Sequence, residues 1–186
     1  ASPIQMTTSA RFPVRRLAAA ALFLLAPLVA AAAGAAVTAQ VASGYDHTCA
    51  LSTAGAVTCW GSNVTGQLGD TTLVDKHVPT AVSGLASGVL AIAAGGVHAC
   101  ALSTAGAVSC WGGNDSGQLG DGTTTDRTAP VAVPALTAGV VAIAAGEAHT
   151  CALTAAGGVK CWGLNTSGQL GTGNLHRNRS VQRTGS

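Results

Sequence analysis

Charged residues are scarce in this sequence, at 9% of 186 residues, and the formal net charge is only +2. Of the nine Lys and Arg residues, three lie in the first 16 positions and three in the last 10, so the middle of the chain has no basic stripe. Proteins that bind nucleic acid need such a stripe for phosphate contacts. A nucleic-acid partner is therefore not expected.

The motifs of several enzyme classes are also missing. The sequence has no Gly-rich loop ending in Gly-Lys-Ser or Gly-Lys-Thr, no Gly-x-Ser-x-Gly elbow and no His-Glu-x-x-His. In that order, these motifs are typical of a phosphate-binding loop, a hydrolase nucleophile and a zinc-protease helix. Asp70 and Asp121 follow repeated Gly-Gln-Leu-Gly runs, where a turn is favoured over a weak Ca²⁺ contact. No catalytic residue and no cofactor are predicted.

One long apolar run is present, from Leu17 to Ala36, and Arg11, Arg15 and Arg16 precede it. Small residues follow at 37–39. This order is typical of an export signal, so we expect residues 1–39 to form a hydrophobic signal helix that is cleaved after residue 39. The alternative is an uncleaved anchor, which would make the membrane a partner through this segment alone. Either reading predicts a secreted, periplasmic or cell-envelope protein.

Three near-copies of one module, 51 residues apart, fill the rest of the chain. Each copy has the same His, Cys, Cys, Trp and Asn positions and the same Gly-Gln-Leu-Gly run. A period near fifty with several short strand patterns is typical of propeller blades, whereas helical solenoids show apolar spacing of 3.6 residues. The fold class predicted is all-β, with three repeats at about 41–88, 89–139 and 140–186, the last incomplete.

Each copy contains four strand-like segments, as one propeller blade does. In the second copy they are Val89 to Ala94, His98 to Leu102, Ala107 to Trp111, and Val131 to Val133 after Pro130. If Cys100 lies opposite Cys110, then Leu102 faces Val108, and residues 104–106 form a three-residue loop with Gly at its end. The same arithmetic applies to the other two copies.

The order Gly-x-x-His-x-Cys-Ala-Leu, Gly-x-Val-x-Cys-Trp-Gly-x-Asn and Gly-Gln-Leu-Gly resembles the regulator of chromosome condensation repeat, in the cysteine-bearing form of secreted bacterial proteins. The resemblance covers about residues 41–186 and implies a seven-bladed β-propeller. Three units give a partial propeller of three four-stranded blades. The chain is then a fragment of a ring, assembles with copies of itself or with further propeller repeats, or is an open arc.

The six cysteines allow three interpretations. Opposed strand positions lie close enough for a disulfide, and export and the even count favour this pairing within each hairpin. Free buried thiols and a zinc site that includes His98 are the alternatives, and no metal site is predicted. The expected disulfide cysteines are Cys49, Cys59, Cys100, Cys110, Cys151 and Cys161.

The recurring His and Trp residues are interpreted as parts of the repeat core. An active site needs different groups that converge once, whereas the same His recurs in every unit. A Trp next to a Cys within a strand fills the space between sheets more often than it forms a ligand surface. These core positions are His47, His98, His149, Trp60, Trp111 and Trp162.

Function is therefore sought in the loops that differ between units, at 71–77, 122–127 and 173–179. The predicted binding residues are Asp75, Lys76, Asp126, Arg127 and Arg177. We expect a non-catalytic, exported repeat protein that binds an unknown protein or cell-surface partner. The alternatives are a regulator of a small GTPase that exchanges guanine nucleotide, as the resemblance implies, and a propeller enzyme such as a lyase.

Overall fold

A computed structural model describes residues 38–184, which lie in one compact unit, Ala35–Ser186. The predicted signal segment, residues 1–39, lies outside these residues except for 38 and 39, which belong to the first strand. Within them no helix is long and apolar enough to cross a membrane. The strands are β1 (Thr38–Ser43), β2 (His47–Ser52), β3 (Val57–Gly61), β4 (Lys76–Ala81), β5 (Val89–Ala94), β6 (His98–Ser103), β7 (Val108–Gly112), β8 (Arg127–Ala132), β9 (Val140–Ala145), β10 (His149–Thr154), β11 (Val159–Gly163) and β12 (Asn178–Arg183).

The strands form three antiparallel sheets of four, and within each sheet the spatial order follows the chain order. This confirms the predicted all-β fold of three four-stranded blades. The third sheet has all four strands, although the sequence suggested that the last repeat is incomplete. The inner strands β1, β5 and β9 contact their neighbours in turn, as the inner strands of adjacent blades do.

The predicted central hairpin is confirmed. Cys100 lies opposite Cys110 and Leu102 opposite Val108, with the same register in the other two sheets. The tight turn needs a left-handed residue, and Gly106 occupies that position at φ 79°. A residue with a Cβ there would be strained and would also approach the backbone of Gly139 and Val140, at the start of β9 in the next blade.

The outer strands begin earlier than the sequence suggested. β8 starts at Arg127, so Pro130 lies inside the strand and does not introduce it. Proline lacks the N–H that a central strand must donate, but at the outer edge of a blade that donor is not needed. The Gly-rich stretch before Arg127 has no alternation of apolar and polar residues, so the sequence pattern did not indicate where the strand begins.

Two hydrophobic clusters join the blades, one between the first and second and one between the second and third. We call the joined surfaces seam 1 and seam 2. In each seam a blade presents its disulfide, a Leu and a Val on what we call its leading face. The next blade covers them with an Ile, an Ala and, in both cases, a fully buried Trp on what we call its trailing face. The pleat of the strands, which sends alternate side chains to opposite faces, produces both faces from one repeated sequence.

Candidate functional site

One end of each blade carries both the short turn after the inner strand and the long loop before the outer strand. Backbone bonds tie these segments together, for example Ser62 N–H to Asp46 O at 2.8 Å. These two segments lie at the same end of all three blades, and we call this end the loop face. The β2–β3 hairpin turns and their equivalents lie at the opposite end.

Disulfides close the hairpins beneath this face. The structure joins the six cysteines as Cys49–Cys59, Cys100–Cys110 and Cys151–Cys161, with Cα separations of 4.0 to 4.1 Å. Among residues 38–184 no group of three or more His, Cys, Asp or Glu side chains is placed to hold a metal ion. The cysteines of the first two blades belong to the hydrophobic clusters between blades, so their disulfides pack in the seams.

The three histidines lie near the start of the second strand of each blade, and they differ in their partners. His98 is fully buried, and its Nε2 lies 2.9 Å from the Thr150 hydroxyl of the next blade. His47 is buried too, but neither of its ring nitrogens has a hydrogen-bond partner of normal geometry, and the His98 backbone acts on the ring only enough to raise its pKa against the effect of burial. The reason is one residue, because Ala99 occupies in the second blade the position that Thr150 occupies in the third.

Burial lowers the pKa of all three rings. Desolvation, followed by the nearby His47 and His149, lowers the pKa of His98 to about 3. Desolvation also lowers the pKa of His47, against the opposing effect of Asp46, and that of His149. These rings are neutral near pH 7, which suits a role in packing.

Each buried tryptophan fastens its blade to the preceding one. Trp111 Nε1–H donates to the Gln67 carbonyl at 3.0 Å, and Trp162 Nε1–H donates to the Gln118 carbonyl at 2.8 Å. Trp60, on the trailing face of the first blade, is only half-buried. Trp111 and Trp162 pack between sheets, as the sequence suggested.

A buried asparagine organises each long loop. In the second blade the Asn114 side chain donates to Asp121 and to Thr123 and Thr125 carbonyls, while its Oδ1 accepts from Leu119 N–H. Asn63 and Asn165 have the same buried position. This network explains why Asn and the Gly-Gln-Leu-Gly run recur together: the Asn side chain replaces the backbone partners that an irregular loop lacks.

Four of the five predicted binding residues already have partners inside the loops. Asp75 and Asp126 each accept the backbone N–H of the loop asparagine at 2.8 Å. Lys76 pairs with Asp70 at 3.5 Å, and Arg127 pairs with Asp121 at 2.7 Å. Their binding role stays a prediction, whereas these internal contacts define a structural role.

The acidic members of these pairs titrate low. Burial opposes ionisation of Asp121, but hydrogen bonds from Thr123 and Arg127 outweigh it and lower the pKa of the carboxyl group. In Asp70 the same opposition is outweighed by Thr72, Asn63 and Lys76, and its pKa is also lowered. Turn stabilisation, the favoured interpretation of these two residues, agrees with these contacts.

The third loop departs from this scheme. Arg177 stands where the first two blades have the structural Asp, and Thr172 and Asn178 replace the ion pair. Arg177 is exposed and has no hydrogen bond or ion pair within residues 38–184. Of the predicted binding residues it alone lacks such an internal contact in that range.

Sequence reasoning missed a groove on the inner side of the loop face. The three inner turns line a groove of about 250 Å³ around Tyr45, Gly96 and Glu147, which are equivalent positions in the three repeats. Tyr45 is 63% exposed, and Glu147, by hydrogen bonding and then by its charge, raises the pKa of the phenol. A Cβ on Gly96 would lie 2.9 Å from the Tyr45 ring, so only glycine leaves the groove open there. The signal was available, since this position varies beside the constant Gly44, Gly95 and Gly146.

The repeat matches the models of a known family. The model of the regulator of chromosome condensation (RCC1) repeat matches residues 54–102 and 105–153, and a second model of the same repeat matches 39–67, 89–118 and 140–169. The chain belongs to the RCC1 repeat family. The matched ranges include the Cys–Cys hairpins and the loop asparagines described above.

Curated relatives share this repeat at moderate identity. The human probable E3 ubiquitin-protein ligase HERC4 is 43% identical over 135 residues, which is 71% of this chain and 13% of that protein. The Ultraviolet-B receptor UVR8 of Arabidopsis thaliana is 37% identical over 136 residues, 72% of this chain and 31% of the receptor. The chain thus spans less than a third of these relatives.

Solved structures agree with the fold. Human WBSCR16 superposes with a TM-score of 0.71 at 30% identity, over 80% of this chain and 40% of that one. Yeast RCC1 (Prp20), in its complex with Kap60, gives the same TM-score at 23% identity over 80% of this chain and 37% of that one, which shows the fold alone. The resemblance inferred from the motifs is confirmed.

Proposed function

We propose that this chain is a non-catalytic, exported interaction module that binds a protein partner through its loop face. The observation that carries this proposal is that the positions constant among the three repeats and the positions that differ lie in different parts of the fold. The constant His, Cys, Trp and Asn side chains point into seams, hairpins and loops, whereas the differing residues Tyr45, Gly96, Glu147 and Arg177 lie on one face.

Charge gives the partner a chemical class. Among residues 38–184 every Lys and Arg lies on an outer strand or on β11, apart from Arg177 beside β12, while the inner turns carry Asp46 and Glu147. An exposed phenol ring next to a carboxylate suits a cationic side chain, which can contact the ring face and the carboxylate together. The groove therefore fits a Lys or Arg of a partner protein.

A binding measurement on surface variants tests this proposal. Extracellular or envelope proteins of the source cell would be passed over the immobilised chain, and the affinity of the retained protein would be compared for wild type, Tyr45→Ala and Glu147→Gln. We expect each substitution to weaken binding by about tenfold, or about 1.4 kcal/mol. Thr104→Ala, at the opposite end of the second blade, is the matched control.

Two outcomes would contradict the proposal. Equal affinity of all four proteins would remove the loop face from the interaction. Turnover of polysaccharide or peptide substrates by the purified chain would make it an enzyme.

Export is tested separately. Residues 1–39 fused to a reporter that works only outside the cytoplasm should give signal, and deletion of 17–36 should abolish it. The exported chain should take up alkylating reagent at six cysteines only after reduction, which intact mass measures directly. If the reporter fusion stays in the cytoplasm and gives no signal, or if all six cysteines are alkylated without reduction, export to an oxidising compartment is contradicted.

A further inference from the structure

Two blade faces of the kinds that form a seam, one leading and one trailing, are exposed at the two ends of the described blades. In residues 38–184 the leading face of the third blade has no blade against it, and Leu153 and Val159 are each 39% exposed. Their equivalents inside the seams, Leu51, Leu102, Val57 and Val108, are at most 3% exposed. A shallow groove whose lining includes Ala142, Ala144, Cys151, Leu153 and Val159 marks this face.

The trailing face of the first blade is uncovered in the same way. Val41 is 57% exposed, whereas its equivalent Ile92 in the second blade is 3% exposed. Trp60 is half-buried, whereas Trp111 and Trp162 are fully buried. This face has the residues that cover a leading face elsewhere in the chain.

The two uncovered faces also match in their polar groups. In seam 2 the Thr150 hydroxyl lies 2.9 Å from His98 Nε2 and donates to the Gln118 carbonyl at 2.9 Å. The same positions on the uncovered faces are Thr48 on the first blade and His149 and Gln169 on the third. A seam built from them would have the Thr–His Nε2 hydrogen bond of seam 2, which seam 1 lacks.

We propose that a second copy of this chain covers the third blade, with its first blade packed as the next blade of the series. Leu153 and Val159 of one copy would meet Val41 and Trp60 of the other, and Thr48 would bond His149. The occupant follows from continuity with the existing seams, because the same side chains already pack in this way twice within one chain. The contact is head-to-tail, so two copies placed in this way would present six consecutive blades.

Head-to-tail association makes a specific prediction for mixtures. Leu153→Arg removes one face and Val41→Arg removes the other, and each substitution places a charge that would be buried without a partner. Each variant alone lacks one of the two faces that a contact needs and should be monomeric. An equimolar mixture regains one intact seam and should form a heterodimer.

Sedimentation of the full chain measures this. At concentrations up to about 100 µM, wild type and the exposed outer-strand control Val78→Arg should associate, and each single variant should lose at least about tenfold in affinity. Both Arg sites are already exposed, so the fold should persist, and far-UV circular dichroism checks it. Residues 17–36 are unchanged in every variant, so association through them would survive all substitutions.

The outcomes are distinct. Dimers restored only in the mixture support the proposal. A monomeric wild-type chain, association that ignores both substitutions, or a mixture that stays monomeric each overturns it, and the first of these leaves a further repeat of another polypeptide as the covering element. None of these outcomes alters the loop-face binding proposed above, because Val41 and Leu153 lie outside that groove.

Discussion

Seam 1 and seam 2 are built from the same repeat, yet they are fastened differently. Both have a Trp indole bonded to a Gln carbonyl and a Leu and Val under the next blade. Seam 2 adds the Thr150 bridge to His98, whereas seam 1 has Ala99 and leaves His47 unpaired. Seam 1 instead uses Gln40, whose amide bonds both N–H and C=O of Ile92 at 2.9 Å.

Apolar packing and the Trp hydrogen bond are therefore common to both seams, whereas the other hydrogen bonds across a seam differ from copy to copy. In a repeat array, stability is close to a sum of unit and neighbour contributions. Each seam can therefore be altered separately. The difference in unfolding free energy between matched substitutions in the two seams then measures the contribution of one hydrogen bond.

The largest expected effect comes from the element that the seams share. Trp111→Ala and Trp162→Ala each remove a fully buried side chain and one hydrogen bond to a Gln carbonyl of the preceding blade. Each should cost about 3–5 kcal/mol in the free energy of unfolding. Urea unfolding of the two variants, with intact disulfides, measures this.

The half-buried Trp60 is the internal control for this prediction. Trp60→Ala should cost clearly less than either substitution in a seam, because this ring has no preceding blade over it in residues 38–184. Equal losses for Trp60 and Trp111 under conditions where the chain is monomeric would show that the seams do not derive their stability from the buried Trp.

How much of this was available in the sequence can be judged from the same residues. The hairpin register and the cysteine pairing followed from counting between Cys100 and Cys110, because an antiparallel pleat has a fixed period of two. The core position of Trp111 followed from its place beside Cys110. The fold was therefore readable from local rules that three copies repeat.

What could not be read was the contact between one copy and the next. The partner of His98 is 52 residues away, and nothing local distinguishes it from His47, which has none. The groove at Tyr45, Gly96 and Glu147 also depends on three turns meeting at one place. Lys76 and Arg127 looked free to bind partners because their loop carboxylates, Asp70 and Asp121, precede them by several residues of irregular chain.

Acid should weaken both seams through the histidines. The unfolded chain takes up protons at His with an ordinary pKa near 6.5, while the folded pKa of His98 is about 3. The unfolded state thus binds more protons between these values, so stability is complete above about pH 7 and falls as pH drops from about 6.5 towards 3. The total loss should be on the order of a few kcal/mol.

The pH window separates histidines from carboxylates. Asp70 and Asp121 have lowered pKa values, so their contribution is lost only below about pH 4, near the ordinary carboxyl pKa. Unfolding free energies at several values between pH 7 and 4.5 should have a slope that His98→Gln reduces. A slope unchanged by that substitution would assign the acid sensitivity to other groups.

Thr150→Ala should convert seam 2 into a likeness of seam 1. His98 Nε2 would lose its partner in a fully buried site, and an unsatisfied buried polar group costs about 1–3 kcal/mol. Urea unfolding measures the loss. Thr150→Ser keeps the hydroxyl and should retain most of the stability, whereas a similar loss in both variants would attribute it to the missing methyl group.

The reverse substitution has the smallest expected effect and tests the comparison most directly. Ala99→Thr places a hydroxyl beside His47 and the Gln67 carbonyl, the groups that correspond to His98 and Gln118 in seam 2. We expect Ala99→Thr to be more stable than the isosteric Ala99→Val by about 0.5–1.5 kcal/mol, the net value of an intramolecular hydrogen bond. Ala99→Val adds similar volume without the hydroxyl, and overpacking a site that is 1% exposed should make it neutral or destabilising.

If Ala99→Thr and Ala99→Val change stability equally, the hydroxyl does not reach His47, and the two seams differ in backbone spacing and not only in one side chain. If Ala99→Thr alone gains, the double variant Ala99→Thr, Thr150→Ala should fall near the wild type, because the fastener has moved from one seam to the other. Near-additive behaviour is expected for substitutions that share no partner. A large departure from additivity would mean that the histidines act as one coupled ladder across the blades, which the effect of His47 and His149 on the pKa of His98 would then help to explain.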